Sequence, residues 1–237
     1  YTLMYTYAFC QTPLTPLELP QGIAAAVQIV TVDQLAAIVE PAVSLEPLQQ
    51  DDTLLVQAAL AHDRVVRGLY LQTPILPLRF GTCFNSLQGL FGHLETYQQA
   101  YLNQLTYLNG KAEYTLKLIL VEPPDAVIAP ELKGKNYFLA KKQQYQQQLS
   151  YQQQQQTAIG QIEQAVLQAY PEHCCSQDAA GVKAMHLLVE RDREQQLCDF
   201  IQVLQLQYPQ LQLVLGAALP PYHFVSSASA VPPSSAS

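Results

Sequence analysis

No lysine or arginine occurs before Arg64 in this 237-residue chain, yet the same stretch holds Glu18, Asp33, Glu40, Glu46, Asp51, Asp52 and Asp63. From Arg64 onward the bases and acids are equal, so the formal charge of −7 belongs to residues 1–63. A nucleic-acid binder needs clustered bases to neutralise phosphates, and this distribution argues against that partner. Charge of either sign is scarce, at 13% of residues against roughly 25% in an average soluble domain. Long apolar runs are missing too. The most apolar window, Gly22 to Val39, is broken by Gln28, Thr31, Asp33 and Gln34, so neither a membrane-spanning helix nor a lipid-membrane partner is expected. A signal peptide needs a basic n-region and a transit peptide needs arginines, and neither is visible. The cysteines are few, odd in number and unevenly spaced (Cys10, Cys83, Cys174, Cys175, Cys198), unlike a secreted disulfide framework. These features predict a reduced, cytoplasmic protein.

The signatures of catalysis are also absent. There is no glycine-rich phosphate loop, nucleophile elbow, metalloprotease His pair or CxxC motif. His62-Asp63 resembles a metal-binding doublet, but such a doublet needs an upstream histidine and His62 is the first. His173-Cys174-Cys175 offers ligands that, being adjacent, cannot easily converge on one tetrahedral ion; it reads as a solvent-side loop with free thiols. The expectation is therefore no enzyme, no catalytic or metal-ligating residues and no cofactor.

What is present is apolar and glutamine-rich: 49% hydrophobic residues, and 33 glutamines. That is enough apolar material for one sizeable core or two modest ones. Alternation over residues 2–9 predicts a half-buried strand, with Leu3, Tyr5, Tyr7 and Phe9 on one face. Pro13, Pro16 and Pro20 then interrupt regular structure. Val27–Val32 and Leu35–Val39 read as a hairpin turning at Asp33. Asp51 and Asp52 suit a helix start, and Leu55, Ala59, His62, Val66 and Leu69 recur at helical spacing before Pro74. Ile75–Phe80 reads as a strand. A second helix is capped at Asn85-Ser86 and ends at Asn109-Gly110. A further strand alternates from Glu113 to Leu118.

This order predicts an α+β fold of two domains. Residues 1–122 form a modified ferredoxin-like sheet with helices on one face. Residues 123–136 form a linker, and residues 137–226 a second, smaller α+β unit with a long Gln-rich helix. Residues 227–237 are a disordered Ser/Ala/Pro tail. The helix spans Tyr137–Tyr170, with Tyr145, Leu149, Ile159, Ile162 and Val166 as its stripe. Residues Pro171–Gly181 are a loop, followed by strand, helix and strand. Both halves contain strand–helix–strand ending in Pro-Pro, which suggests a duplicated unit.

Two residues invite a functional reading. His62, between Ala59 and Val66 on an apolar stripe, reads first as a hydrogen-bonded core histidine. Arg79, between Leu78 and Phe80, is either paired with a carboxylate or part of a contact surface. The pair is the favoured expectation, with Asp63 and Glu113 as candidate partners. Lys133, Lys135, Lys141 and Lys142 make a basic patch, read as a solvated face first and a site for an acidic partner second.

Several groups together resemble the gas vesicle F/L accessory protein family: Tyr5-Thr6-Tyr7-Ala8-Phe9, Ala61-His62-Asp63-Arg64-Val65-Val66, Ile75-Leu76-Pro77-Leu78-Arg79-Phe80-Gly81-Thr82, Glu113, Leu187-Leu188-Val189 and Pro220-Pro221-Tyr222-His223-Phe224. The likeness runs from about Thr2 to Val225, leaving out the linker and the Gln tract. Gly216-Ala217-Ala218-Leu219 departs from the Gly-Pro step usual before the Pro-Pro-Tyr. The resemblance implies a minor gas vesicle protein in the cytoplasm, serving buoyancy. It would associate with the major shell protein and other accessory proteins during nucleation and assembly, keeping the shell protein from aggregating. His62, Arg64, Leu76, Pro77, Arg79, Phe80, Gly81, Glu113, Pro221 and Tyr222 are then structural or partner-contact residues. The alternative is a small-molecule-binding or enzymatic α+β module using His62 and Arg79.

Overall fold

The computed structural model describes residues 2–43, 50–123, 134–177 and 182–225. The fold is α+β, with two antiparallel-type sheets and four α-helices among the described residues. The chain forms two compact units. The first comprises residues 1–113 and 218–237, the second residues 114–217. The division falls inside a strand, before the expected boundary at residue 122. Residues 124–133, most of the expected linker, and the tail 227–237 lie outside the described residues.

In the first unit, β1 (Met4–Gln11) is central, flanked by β3 (Leu35–Pro41) on one edge and by β4 (Ile75–Pro77) and β5 (Cys83–Phe84) on the other. β2 (Gln28–Val32) extends the sheet beyond β3, giving the order β2-β3-β1-β4. This is the ferredoxin-like order, with the irregular Thr12–Val27 stretch where a first helix would stand. The β2–β3 hairpin closes on Asp33-Gln34, with Val32 opposite Leu35 and Asp33 at φ 51°. A short polar side chain tolerates that left-handed conformation.

β1 is not half-buried as its alternation suggests. Every residue from Met4 to Cys10 is buried, because a central strand in this unit is covered on both faces. The register slips between Thr6 and Ala8. Helix α1 (Asp52–Tyr70) starts where expected, with the Asp51 carboxylate accepting from the amides of Thr53 (2.8 Å) and Leu54 (3.3 Å). It buries Ala58, Ala61, His62, Val65, Val66 and Leu69. Ser86 caps α2 (Leu87–Leu108), whose Leu90, Leu94, Tyr101, Leu105 and Leu108 are buried. Burial of each such leucine stabilises the fold by about 1.5–3 kcal/mol.

Strand β6 (Lys111–Leu120) does not join the first sheet, contrary to its expected place. Both edges of β1 are already taken, and Leu116–Leu120 instead pair with β9 (Leu211–Leu215). The second sheet runs β7-β8-β6-β9, from β7 (His173–Gln177) and β8 (Lys183–Glu190) inward. The expected loop at 171–181 is thus partly strand, and Cys174 and Cys175 are free thiols on β7. Helix α3 (Lys135–Ala169) connects β6 to β7, and α4 (Glu194–Gln207) connects β8 to β9. Each unit therefore places its four principal strands in the same order, second-third-first-fourth.

Helix α3 starts within the expected linker and is continuous through the Gln tract, but it buries only Gln155, Ala158, Ile162 and Val166. The expected stripe fails at Tyr145 and Leu149, which are exposed. Gln155 takes their place by chemistry: its amide donates to the carbonyls of Val121 (2.7 Å) and Gln210 (2.9 Å).

Candidate functional site

The family-like segments of the first unit converge on β1. The turn after β4 is fastened to that strand at three points. The Leu78 amide donates to the Tyr7 carbonyl (2.9 Å), the Thr6 amide to the Thr82 carbonyl (2.9 Å), and the Gly81 amide to the Tyr5 hydroxyl (3.2 Å). Gly81 sits at φ 87°, where an L side chain is strained, so the glycine serves backbone shape. Leu76 and Pro77 are buried opposite Phe9 and Ala8.

His62 reaches into the same region from α1. Its Nδ1 lies 2.8 Å from the Tyr5 hydroxyl and its Nε2 3.1 Å from the Leu78 carbonyl. Neutral imidazole protonated on Nε2 satisfies both, donating to Leu78 and accepting from Tyr5. Burial lowers the His62 pKa to about 4, more than the Leu78 carbonyl and the nearby Asp63 raise it. Burial likewise raises the Tyr5 hydroxyl above its usual range. Tyr7 stacks on the imidazole at 5.2 Å, and Phe80 meets it edge-on at 5.8 Å. His62 is the hydrogen-bonded core histidine that its position on the helix stripe suggests.

Glu40, which no sequence motif singles out, is fully buried near the end of β3. One carboxylate oxygen accepts from the Ala24 (2.7 Å) and Ala25 (2.5 Å) amides. The other accepts from the Ile23 amide (2.7 Å) and the Tyr7 hydroxyl (2.5 Å). Three successive backbone donors thus cradle one carboxylate, the arrangement of an anion nest. A Cβ on Gly22 would collide with that carboxylate, which explains the glycine. In the sequence its signal is a lone carboxylate amid hydrophobic strand residues, downstream of the Pro20-Gln21-Gly22 step.

Arg79 corrects an expectation. It is exposed, and neither proposed partner is held for it: Asp63 pairs with Arg67 (2.6 Å), and Glu113 engages His223. The turn at Leu78-Gly81 directs Arg79 to solvent while His62 points into the core, so the structure does not join them in one pocket. Arg64 is exposed as well, its guanidinium 3.4 Å from the Gln21 carbonyl. Alternation along the expected strand puts Phe80 on one face with Leu76 and Leu78, but β4 ends at Pro77 and Phe80 keeps 36% of its surface exposed.

Glu113 and the Pro-Pro-Tyr segment, 107 positions apart in sequence by their first residues, come together. Glu113 exchanges backbone hydrogen bonds with Leu219 (3.0 and 2.9 Å). Its buried carboxylate accepts from the His223 amide (2.9 Å) and meets His223 Nδ1 at 2.6 Å. Pro220 and Pro221 are buried, and burial raises the half-buried Tyr222 hydroxyl above its usual range, with Asp63, Arg67 and Glu113 as the neighbouring charges. The unusual Gly216-Leu219 step therefore still delivers the segment to the first unit.

These features, a β1-centred cluster closed by a returning C-terminal segment, belong to a chain that matches one family over nearly its whole length. Residues 3–226 match the family described as gas vesicle synthesis protein GvpL/GvpF, and the chain is a member of it. Its role accordingly lies with the gas vesicle. Among individual proteins it is similar to gas vesicle protein F of Streptomyces sp. (strain CB03234), 29% identical over 215 residues, covering 84% of this chain and 87% of that one. The fold is similar to that of the crystal structure of GvpF from Anabaena sp. PCC7120, with TM-score 0.69, 16% identity, and coverage of 95% and 97% of the two chains. GvpF from Microcystis aeruginosa gives TM-score 0.66 at 15% identity, covering 94% and 99%.

Proposed function

We propose that this protein is a non-catalytic assembly factor of the gas vesicle, working in the cytoplasm at the growing vesicle. It binds the major shell protein and other accessory proteins during nucleation and limits shell-protein aggregation. The observation that carries this reading is the family match across residues 3–226. The structure is compatible, since the motif residues His62, Leu76, Pro77, Glu113 and Pro221 are buried parts of the first unit. Arg64, Arg79 and Phe80 are left at its surface and are the residues offered for shell contact. A self-assembling shell protein exposes apolar surface or strand edges beforehand, and covering them suppresses aggregation. The acidic excess of residues 1–63 repels further copies of the carrier itself.

Co-expression with the shell protein followed by pull-down tests this. Association is expected, with loss on the double variant Arg64→Ala/Arg79→Ala, both exposed residues, at unchanged thermal stability. Absence of binding to the shell protein and to every other vesicle component overturns the reading.

A further inference from the structure

The first half of helix α3 carries side chains that the second unit does not use. The whole helix is 35 residues, or about 50 Å at 1.5 Å per residue. Its buried residues all lie from Gln155 onward. Before that point Phe138 (69% exposed), Tyr145 (62%) and Leu149 (41%) face solvent. With Lys142 they occur at positions i, i+4, i+7 and i+11, which is one helix face. That face is no failed extension of the core stripe. At 3.6 residues per turn it lies about a third of a turn away from Gln155, Ala158, Ile162 and Val166. A surface recess of about 460 Å³ lies along it, lined by Phe138, Lys141, Lys142 and Tyr145 among others.

The charge on this segment is opposite to that of the protein. Lys135, Lys141 and Lys142 occur with no acid until Glu163, in a chain of net charge −7. Lys141 lies over the Tyr137 ring at 5.9 Å, and none of the three has a salt bridge among the described residues. A Gln-rich helix segment of this length is marginal by itself in water, so an occupant that packs on it also stabilises it.

We propose that residues 137–149 form a docking face for an acidic amphipathic helix of another protein. Apolar side chains of that helix would pack on Phe138, Tyr145 and Leu149, with flanking carboxylates meeting Lys141 and Lys142. Charge complementarity selects this occupant. A second copy docking through this same face brings the same lysines and no acid, so like charges would meet. Nucleic acid is disfavoured because three cations neutralise few phosphates. The inference does not rest on shell-protein binding, which the pull-down tests separately.

The test is a fluorescence-anisotropy titration of the full chain with two synthetic three-heptad peptides. One carries leucine at a and d with glutamate at e and g; the other replaces every glutamate with lysine. The glutamate peptide is expected to bind at least about tenfold tighter, weakening as salt shortens the Debye length. Lys141→Gln/Lys142→Gln and, separately, Phe138→Ala/Tyr145→Ala should each weaken binding by about tenfold, typical of losing an interface anchor. Thermal unfolding serves as the check that each variant is folded. No saturable binding, equal binding of both peptides, or indifference to both double variants overturns the proposal. So does a concentration-dependent dimer that Phe138→Ala/Tyr145→Ala dissolves, or an oligonucleotide that binds this face more tightly than the glutamate peptide.

Discussion

Two side chains in the first unit, Glu40 and His62, are satisfied by groups distant in sequence, and each has a measurable consequence. Replacing Glu40 by glutamine keeps the shape but puts an NH2 where one carboxylate oxygen stood, facing either the Ile23 amide or the Ala24 and Ala25 amides. Buried donors left facing one another cost heavily, so Glu40→Gln is expected to destabilise the fold by about 2–4 kcal/mol. Urea unfolding measures it, with exposed Glu18→Gln expected within about 0.5 kcal/mol of the parent. His62 governs acid sensitivity. Its folded pKa of about 4 lies below the ordinary 6.5, so the unfolded chain takes up the proton first as pH falls. The stability due to neutral His62 is fully present above pH 6.5 and is lost as pH falls to 4. The total effect is on the order of 3 kcal/mol. In His62→Gln this part of the slope between pH 7 and 4.5 should vanish. An unchanged slope would assign the acid sensitivity to other groups.

At the scale of elements, local signals and long-range packing disagree in instructive places. The ends of α1 and α2 follow from their caps. Asp51→Ala, which removes an N-cap carboxylate, is expected to cost about 1 kcal/mol. Circular-dichroism melts should register it, and no shift would mean the cap bonds are replaced by water at no cost. Strand β1 shows the opposite case. Its alternation of Tyr and small residues reads as one wet face, yet neighbours on both sides bury Met4 through Cys10. Ile75–Phe80 reads as six residues of strand, but β4 ends at Pro77, with one further bond to β1 from the Leu78 amide to the Tyr7 carbonyl. The chain then turns at Gly81 so that Arg79 reaches water and Tyr5 receives the Gly81 amide.

The whole molecule is two units with one strand order, and the chain visits the first unit twice. The returning segment is held through Glu113, which pairs with Leu219 by backbone and with His223 by its carboxylate. Truncation after Ala217 should therefore lower the melting temperature and expose the buried Glu113 carboxylate. Hydrogen exchange should rise at Glu113, whose amide donates to Leu219. Unaltered protection there would make the segment an appendage rather than part of the unit. By itself the sequence determined the class and order of most elements, the helix caps, the Asp33 hairpin and the core place of His62. Each of these is encoded in neighbouring residues, through periodicity, turn chemistry and capping. Only the tertiary structure decided that β6 leaves the first sheet, that Arg79 is exposed while Glu113 holds His223, and that Glu40 lies in a cradle of amides. Those outcomes depend on which strand edges are already filled and on contacts between residues tens to more than a hundred positions apart, which no local pattern records.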